Sequence, residues 1–260
     1  MNQWSLRRRR IVLFIVLTTL IILVGVPMFF FVYKAPTCAD GVMNGDESGV
    51  DCGGSCESLC RAESLPIVLK GDPRVLRVAT STYVAVAYAE NPNVSGEVYR
   101  AGYTFKIFDA TSTVPVKVIS GSTYIPANSS IAIFEGTFNI VETVPERAIF
   151  EWDKDLEWKR VSTRASRVEV TYDGLILAST TPRLDASAEN LTPENISNID
   201  LVALIFDETG TIIGASKTFI NDLPRGGKEA VVFTWPEPFL GSPVSIEIVQ
   251  RILPDRSFIK

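Results

Sequence analysis

The apolar residues of this chain fall into two regimes. From Ile11 to Tyr33 they form one run, IVLFIVLTTLIILVGVPMFFFVY, 23 residues without a charge. Past Leu65 they come in short β-branched and aromatic runs broken by Pro, Gly, Asn and Ser, and no stretch beyond about ten residues keeps a 3.6-residue period. The first regime predicts one membrane-length helix over residues 11–33. The second predicts a mainly β protein.

At about 1.5 Å rise per residue the run spans about 34 Å, enough for a hydrocarbon core of about 30 Å with some tilt. Thr18 and Thr19 are its polar exceptions, with hydroxyls that can bond back to helix carbonyls. Pro27 is tolerated in lipid and is expected to kink the last third. A cleaved signal peptide would have an apolar region of about 7–15 residues and a small-x-small cleavage site. This run is longer, and VYKAPT after it offers no such site. An uncleaved signal anchor is the expected reading, with residues 1–10 as a basic cytoplasmic tail.

The rest of the chain repeats. Ala89-Glu90-Asn91 precedes an apolar run ending Phe108-Asp109, and Ala188-Glu189-Asn190 precedes one ending Phe206-Asp207. From the aspartates on, the register holds at 98 residues: Pro126 faces Pro224, Ile133 and Phe134 face Val231 and Val232, and Pro145 faces Pro243. Two domains are expected, 65–155 and 156–260, each large enough for a modest β core. In the second, strands are predicted at 166–172, 175–180, 183–190, 199–206, 211–219, 229–235 and 244–251. Tyr172-Asp-Gly174 and Asp207-Glu-Thr-Gly210 read as hairpin turns. Seven short strands with turn signals at this spacing are the pattern of a β-sandwich. Phe105, Ile107 and Phe108 in the first copy, and Leu204, Phe206, Phe219 and Phe233 in the second, are the core candidates.

Charge divides the chain in the same place as hydropathy. Five of the 25 basic residues and none of the 30 acidic ones lie in residues 1–34, leaving 20 basic against 30 acidic in the remainder. Arg7 to Arg10 immediately before the helix place the N-terminus in the cytoplasm and residues 34–260 outside. An acidic remainder repels phosphate, so nucleic acid is not an expected partner. All four cysteines, Cys38, Cys52, Cys56 and Cys60, fall in a Gly/Asp-rich segment, 34–64, that cannot bury a core. Outside a membrane this predicts two disulfides, with three pairings open. A four-cysteine zinc site would normally show Cys-x2-Cys knuckles, and none is present. Asp40, Asn44, Asp46, Glu47 and Asp51 supply hard oxygen ligands that would suit calcium, although the spacing departs from the EF-hand pattern. Solvated turn carboxylates are the alternative.

The run from Cys38 to Cys56, C-x-D-G-x-x-N-G-x-E-x-x-x-D-C-G-G-x-C, resembles a short cysteine-rich module of exported bacterial surface proteins, and implies a spacer without catalytic activity. Ser187 to Trp235 resembles the FxLYD-type immunoglobulin-like domain of bacteria and archaea. Asn190, Ile205-Phe206-Asp207, Gly210, Gly226 and Phe233 match its pattern. The first copy keeps Asn91 and Phe108-Asp109 but has Ser112 and Asn128 where the second has Gly210 and Gly226. The implied fold is two tandem immunoglobulin-like β-sandwiches after a transmembrane helix and a disulfide-rich collar. The immunoglobulin disulfide itself is missing.

The 260 residues contain no histidine, which removes His-based triads and His-ligated metals. Asp109 and Asp207, at equivalent repeat positions, read as turn-capping residues. Glu151, Asp153, Asp155 and Glu157 alternate in sequence and would share one side of an extended linker, where a weak calcium site is conceivable. Trp152, Trp158 and Trp235 are either binding-platform aromatics or buried at a domain junction. Asn93, Asn128, Asn190 and Asn195 each begin a glycosylation triplet. No catalytic residue and no cofactor is assigned. The expected function is a membrane-anchored cell-envelope protein with a structural or binding exterior, its partner an envelope protein or polysaccharide. The alternatives are a scaffold subunit or a carboxylate-dependent glycan-acting enzyme, the latter needing two carboxyls about 5–9 Å apart.

Overall fold

A computed structural model describes residues 3–32, 36–161, 168–177 and 181–254. It divides into two units, Met1–Ser55 and Cys56–Lys260.

The first unit holds the helix. α1 (Gln3–Leu20) passes through a π-helical turn, Ile21–Gly25, into α2 (Val26–Val32). Pro27 explains the wide turn: its ring crowds the carbonyl four residues back and it lacks the N–H that would bond there. Thr18 Oγ1 donates to the Phe14 carbonyl at 2.9 Å and Thr19 Oγ1 to that of Ile15 at 2.7 Å, so both hydroxyls are satisfied within the helix as expected. The segment Arg7–Phe29 is long and apolar enough to cross a membrane, and none of it is buried in the protein. The Arg8 guanidinium lies over the Trp4 ring, 5.7 Å from its centroid.

The second unit is built of strands arranged in four sheets. Sheet A runs β5 (Lys117–Ile125), β4 (Gly96–Asp109), β7 (Pro145–Trp152), with β8 (Trp158–Arg160) also on β4. In sheet B, β3 (Thr82–Asn91) pairs on one side with β1 (Val68–Leu69) and β2 (Arg74–Ala79), and on the other with β6 (Ser129–Asn139). Sheet C runs β12 (Ile212–Leu223), β11 (Ile196–Phe206), β14 (Ser245–Ile252), and sheet D β13 (Lys228–Thr234), β10 (Arg183–Glu189), β9 (Glu169–Ile176). Every named pairing is antiparallel. The order β5-β4-β7 recurs as β12-β11-β14, and β2-β3-β6 as β9-β10-β13. The two halves therefore repeat in topology as well as in sequence.

Three apolar layers order the sheets A, B, C, D. Phe105, Ile107 and Phe150 of sheet A meet Ala85, Ala87 and Ile133 of sheet B. Leu201, Ala203 and Ile205 of sheet C meet Leu184, Ala188 and Phe233 of sheet D. Between B and C, Val86, Tyr88 and Ala132 meet Val202, Leu204 and Val249. β3 and β11 are thus covered on both faces, which is why Tyr83 to Ala89 and Ile199 to Ile205 are apolar almost without alternation. Each buried Val, Leu or Ile contributes about 1.5–3 kcal/mol, so the middle layer, though smaller than either core, holds the halves together by burial.

The packing revises three expectations. Leu204 and Phe206 belong to the layer between the halves rather than to the second core, and Phe219 is only half-buried. Tyr172-Asp-Gly174 is no hairpin: Ala186 pairs with Tyr172 and Asp185 with Gly174, so Asp173 is the extra residue of a β-bulge within β9. The strand predicted at 166–172 is described only from Val168, and that at 175–180 only to Leu177. Trp158, beyond the expected boundary at 155/156, packs into the first core, and Val161 N–H donates to the Ser95 carbonyl. The first half therefore extends at least to Val161.

Candidate functional site

The repeat is held by paired asparagines. Asn91, 1% exposed, donates through Nδ2 to the carbonyls of Gly96 at 2.8 Å and Pro126 at 2.7 Å. Asn190, fully buried, does the same to Glu194 at 2.8 Å, Leu223 at 3.0 Å and Pro224 at 3.2 Å. The prolines aligned in sequence are thus acceptors of equivalent bonds. Gly226 has φ +65° and its counterpart Asn128 φ +45°, so the first copy keeps the left-handed turn with the one side-chain type that best tolerates it besides glycine. Asn93 and Asn190 are buried, which removes them as glycan acceptors in the folded chain. Asn128 and Asn195 are exposed.

The carboxylates singled out in sequence are spent on turns. Asp109 Oδ1 accepts from the N–H of Thr111 and Ser112, and Asp207 Oδ1 from those of Thr209 and Thr211. The Thr209 hydroxyl, followed by the Thr211 N–H, holds the Asp207 carboxyl below its ordinary range. Both aspartates cap their own turn. Glu151 pairs with Lys106 at 2.6 Å, Asp155 with Arg61 at 3.4 Å, and Asp153 N–H bonds to the Gly102 carbonyl. The Glu151 and Asp155 carboxylates thus turn to different cations instead of to one centre.

In the cysteine segment all four cysteines are disulfide-bonded, leaving no thiolate for zinc. Asp51 Oδ1 accepts from the N–H of Asp40 at 2.9 Å and Gly41 at 3.0 Å, Asp40 Oδ1 from Val42 N–H, Glu47 Oε2 from Asn44 N–H, and Asp46 Oδ1 from the Ser55 hydroxyl. Gly54, at φ +55°, lies so close to the Asp46 carbonyl oxygen that a Cβ would come within 1.9 Å of it. Four of the five candidate ligands thus brace a tight loop through its own N–H groups and hydroxyls, while Asn44 donates through Nδ2 to Asp40 Oδ2 and its Oδ1 is buried without a hydrogen-bond partner among the described residues.

Sequence reasoning missed two features. The first is a buried ionic cluster between the halves. Asp200, 2% exposed, stands directly opposite Arg251 in the β11–β14 ladder, with Arg251 Nη2 2.6 Å from Asp200 Oδ2 and Lys217 Nζ 3.1 Å from Oδ1. Arg251 Nη1 reaches across to the Thr123 hydroxyl of the first half. Three buried phenols accompany it: Tyr88 donates to Glu247, Tyr103 to Glu135 and Tyr124 to Glu97. Burial, reinforced by the neighbouring carboxylate, pushes Tyr88 up to about 12 and raises Tyr103 and Tyr124 as well. The signal in sequence was an Asp flanked by apolar residues in β11 and an Arg beside Ile252 near the end of β14.

The second feature is a groove of about 90 Å³ between β2, β12 and the loop Trp235–Leu240. Leu76, Val78, Ile213 and Phe239 give it apolar walls. Its only carboxylate among the lining residues is Glu237, already 2.9 Å from Arg77 Nε, so it lacks the second carboxyl a glycan-hydrolysing site would need. Trp235 is buried in the second core and Trp158 in the first, while Trp152 packs edge-on against Phe150. None of the three indoles is an exposed platform.

No family model and no curated protein matches the chain. Among solved structures, red sea bream transglutaminase is similar at 12% identity and a TM-score of 0.23, over 71% of this chain and 29% of that one. A Bacteroides uniformis beta-glucuronidase is similar at 14% identity and a TM-score of 0.22, over 67% and 25%. The chain spans under a third of either protein's length, and similarity at this level carries no functional argument.

Proposed function

We propose that this is a single-pass cell-envelope protein with a cytoplasmic N-terminus, whose exterior β domains serve a non-catalytic binding or structural role. The observation that carries the reading is the charge-free helix, preceded by four arginines and followed within the same chain by cysteines that are all oxidised. Disulfides persist in oxidising compartments and arginines are retained on the cytoplasmic side, so both ends of the helix point the same way. The two halves are read as tandem immunoglobulin-like sandwiches of the FxLYD type, supported by their shared strand order and by Asn190 and Gly226 at the family's positions. The partner is an envelope protein, reached through an open sheet edge.

Labelling with a membrane-impermeant maleimide tests the topology. After mild reduction of intact cells, Cys38, Cys52, Cys56 and Cys60 should label fully. Labelling only after lysis would reverse the orientation and with it the reading.

A further inference from the structure

We propose that the groove on the helix between Arg9 and Leu17 seats one anionic phospholipid of the cytoplasmic leaflet. This rests on the helix crossing the membrane with its arginines on the cytoplasmic side. The groove has a volume of about 320 Å³ and is lined by Arg9, Arg10, Leu13, Phe14 and Leu17. The lining follows the helix repeat. Arg9, Leu13 and Leu17 stand four apart, as do Arg10 and Phe14, so two guanidiniums sit above an apolar strip on one face. From Arg9 to Leu17 the strip rises about 12 Å, most of the about 15 Å of hydrocarbon in one leaflet. Two cations above an apolar strip of that length complement a phosphate ester that carries an acyl chain.

Charge and volume narrow the occupant. Residues 1–34 contain no carboxylate, so nothing on the helix itself neutralises Arg9 or Arg10, and both are exposed. Arg8 already lies over the Trp4 ring, and Arg7 stands about 200° round the helix from Arg9. Arg9 and Arg10 are therefore the pair that can hold a phosphate above the strip. A second copy of the helix packed here in parallel would set its own arginines against these, and like charges repel. A free phosphate would use the guanidiniums but leave Leu13, Phe14 and Leu17 uncovered, and about 320 Å³, the volume of about ten waters, is more than it fills. A zwitterionic lipid brings a cation of its own beside its phosphate. An anionic lipid meets both ends: its phosphate accepts paired N–H donors from arginine, its chain covers the strip, and the cytoplasmic leaflet supplies such headgroups.

Native mass spectrometry tests this on the full-length protein in uncharged maltoside micelles, titrated with dioleoyl phosphatidylglycerol or dioleoyl phosphatidylcholine. One phosphatidylglycerol per chain should be retained at least about tenfold more tightly than phosphatidylcholine, since each arginine near an anionic headgroup is worth about fivefold. Arg9→Gln with Arg10→Gln should abolish the preference, and Arg7→Gln with Arg8→Gln should keep most of it. Glycerophosphoglycerol, the same headgroup without chains, should fail to displace the lipid. Equal retention of the two lipids, equal loss from the two double variants, or displacement by the bare headgroup would each overturn the proposal. The comparison of the two lipids needs no variant, so it decides even where a substitution disturbs the helix. Micelles have no sides, so a reversed topology in the maleimide assay leaves this measurement unchanged, and a failed titration leaves the maleimide result standing.

Discussion

Arg251→Met isolates the energetic role of the ion cluster between the halves. Arg251 and Asp200 have side chains only 9% and 2% exposed, with Nη2 and Oδ2 2.6 Å apart, and Lys217, 18% exposed, is the one other cation on Asp200 among the described residues. Removing the guanidinium leaves a desolvated carboxylate with a single, more solvated partner, and it cuts the tie to Thr123. Breaking one side of a buried pair costs about 3–5 kcal/mol. Replacing both partners by apolar residues of similar volume costs much less, because the desolvation penalty goes with them. Arg251→Met is therefore expected to lower the unfolding free energy by about 3–5 kcal/mol, and Arg251→Met with Asp200→Leu to recover most of that loss. Urea denaturation of full-length protein in micelles, followed by tryptophan fluorescence, gives all four corners of the cycle. A loss below about 1 kcal/mol for the single variant, or simple additivity in the double, would refute the claim that burial dominates this cluster.

Three more outcomes follow from the same packing. Tyr88, Tyr103 and Tyr124 have folded-state pKa values raised above the unfolded value of 10.0, so the stability they contribute is full below pH 10 and, for Tyr88, lost as pH rises towards about 12. Phenolate absorbance should show three tyrosines ionising only with alkaline unfolding, whereas early ionisation of all seven would contradict their burial. Asn190→Ala should cost about 2–4 kcal/mol by leaving buried carbonyls without donors, while Asn195→Ala, exposed, should stay within about 0.5 kcal/mol in the same urea assay. Leu204→Ala should cost about 2–5 kcal/mol, despite lying outside both halves' own cores. A near-neutral result would mean that the middle layer does not couple the halves.

The repeat was legible because it rests on local chemistry. Asparagines, turn aspartates and prolines recur at near-constant offsets, and the asparagines and aspartates tie their own turns in a similar way in both copies. Phe105, Ile107 and Phe233 were legible as core for the same reason, being apolar at alternate positions of a strand. What escaped was everything that depends on one half meeting the other. Leu204 looks like any core leucine until sheet B is seen to cover it. Asp200 and Arg251 are 51 residues apart and become neighbours only through the β11–β14 ladder. Asp173-Gly174 carries a good hairpin signal, but β10 pairs straight past it and turns it into a bulge. The groove needed β2 and the loop after Trp235, more than 150 residues apart, and no local pattern joins them.

The way the halves meet has a consequence for assembly. Sheet B of the first copy packs on sheet C of the second, and sheet C is the repeat-equivalent of sheet A. The contact is head-to-tail, the kind of joint that, iterated, grows a filament without limit. The two outer faces carry polar residues where the joint is apolar. Val202, Leu204 and Val249 in the joint correspond to Thr104, Lys106 and Glu151 on sheet A, and Val86 and Tyr88 to Asp185 and Ser187 on sheet D. Lys106 bonds Glu151 and Arg183 bonds Asp185 at these two ends. A handful of polar exchanges thus distinguishes the outer faces of sheets A and D from the apolar joint between sheets B and C, so neither outer face offers the surface through which the halves meet.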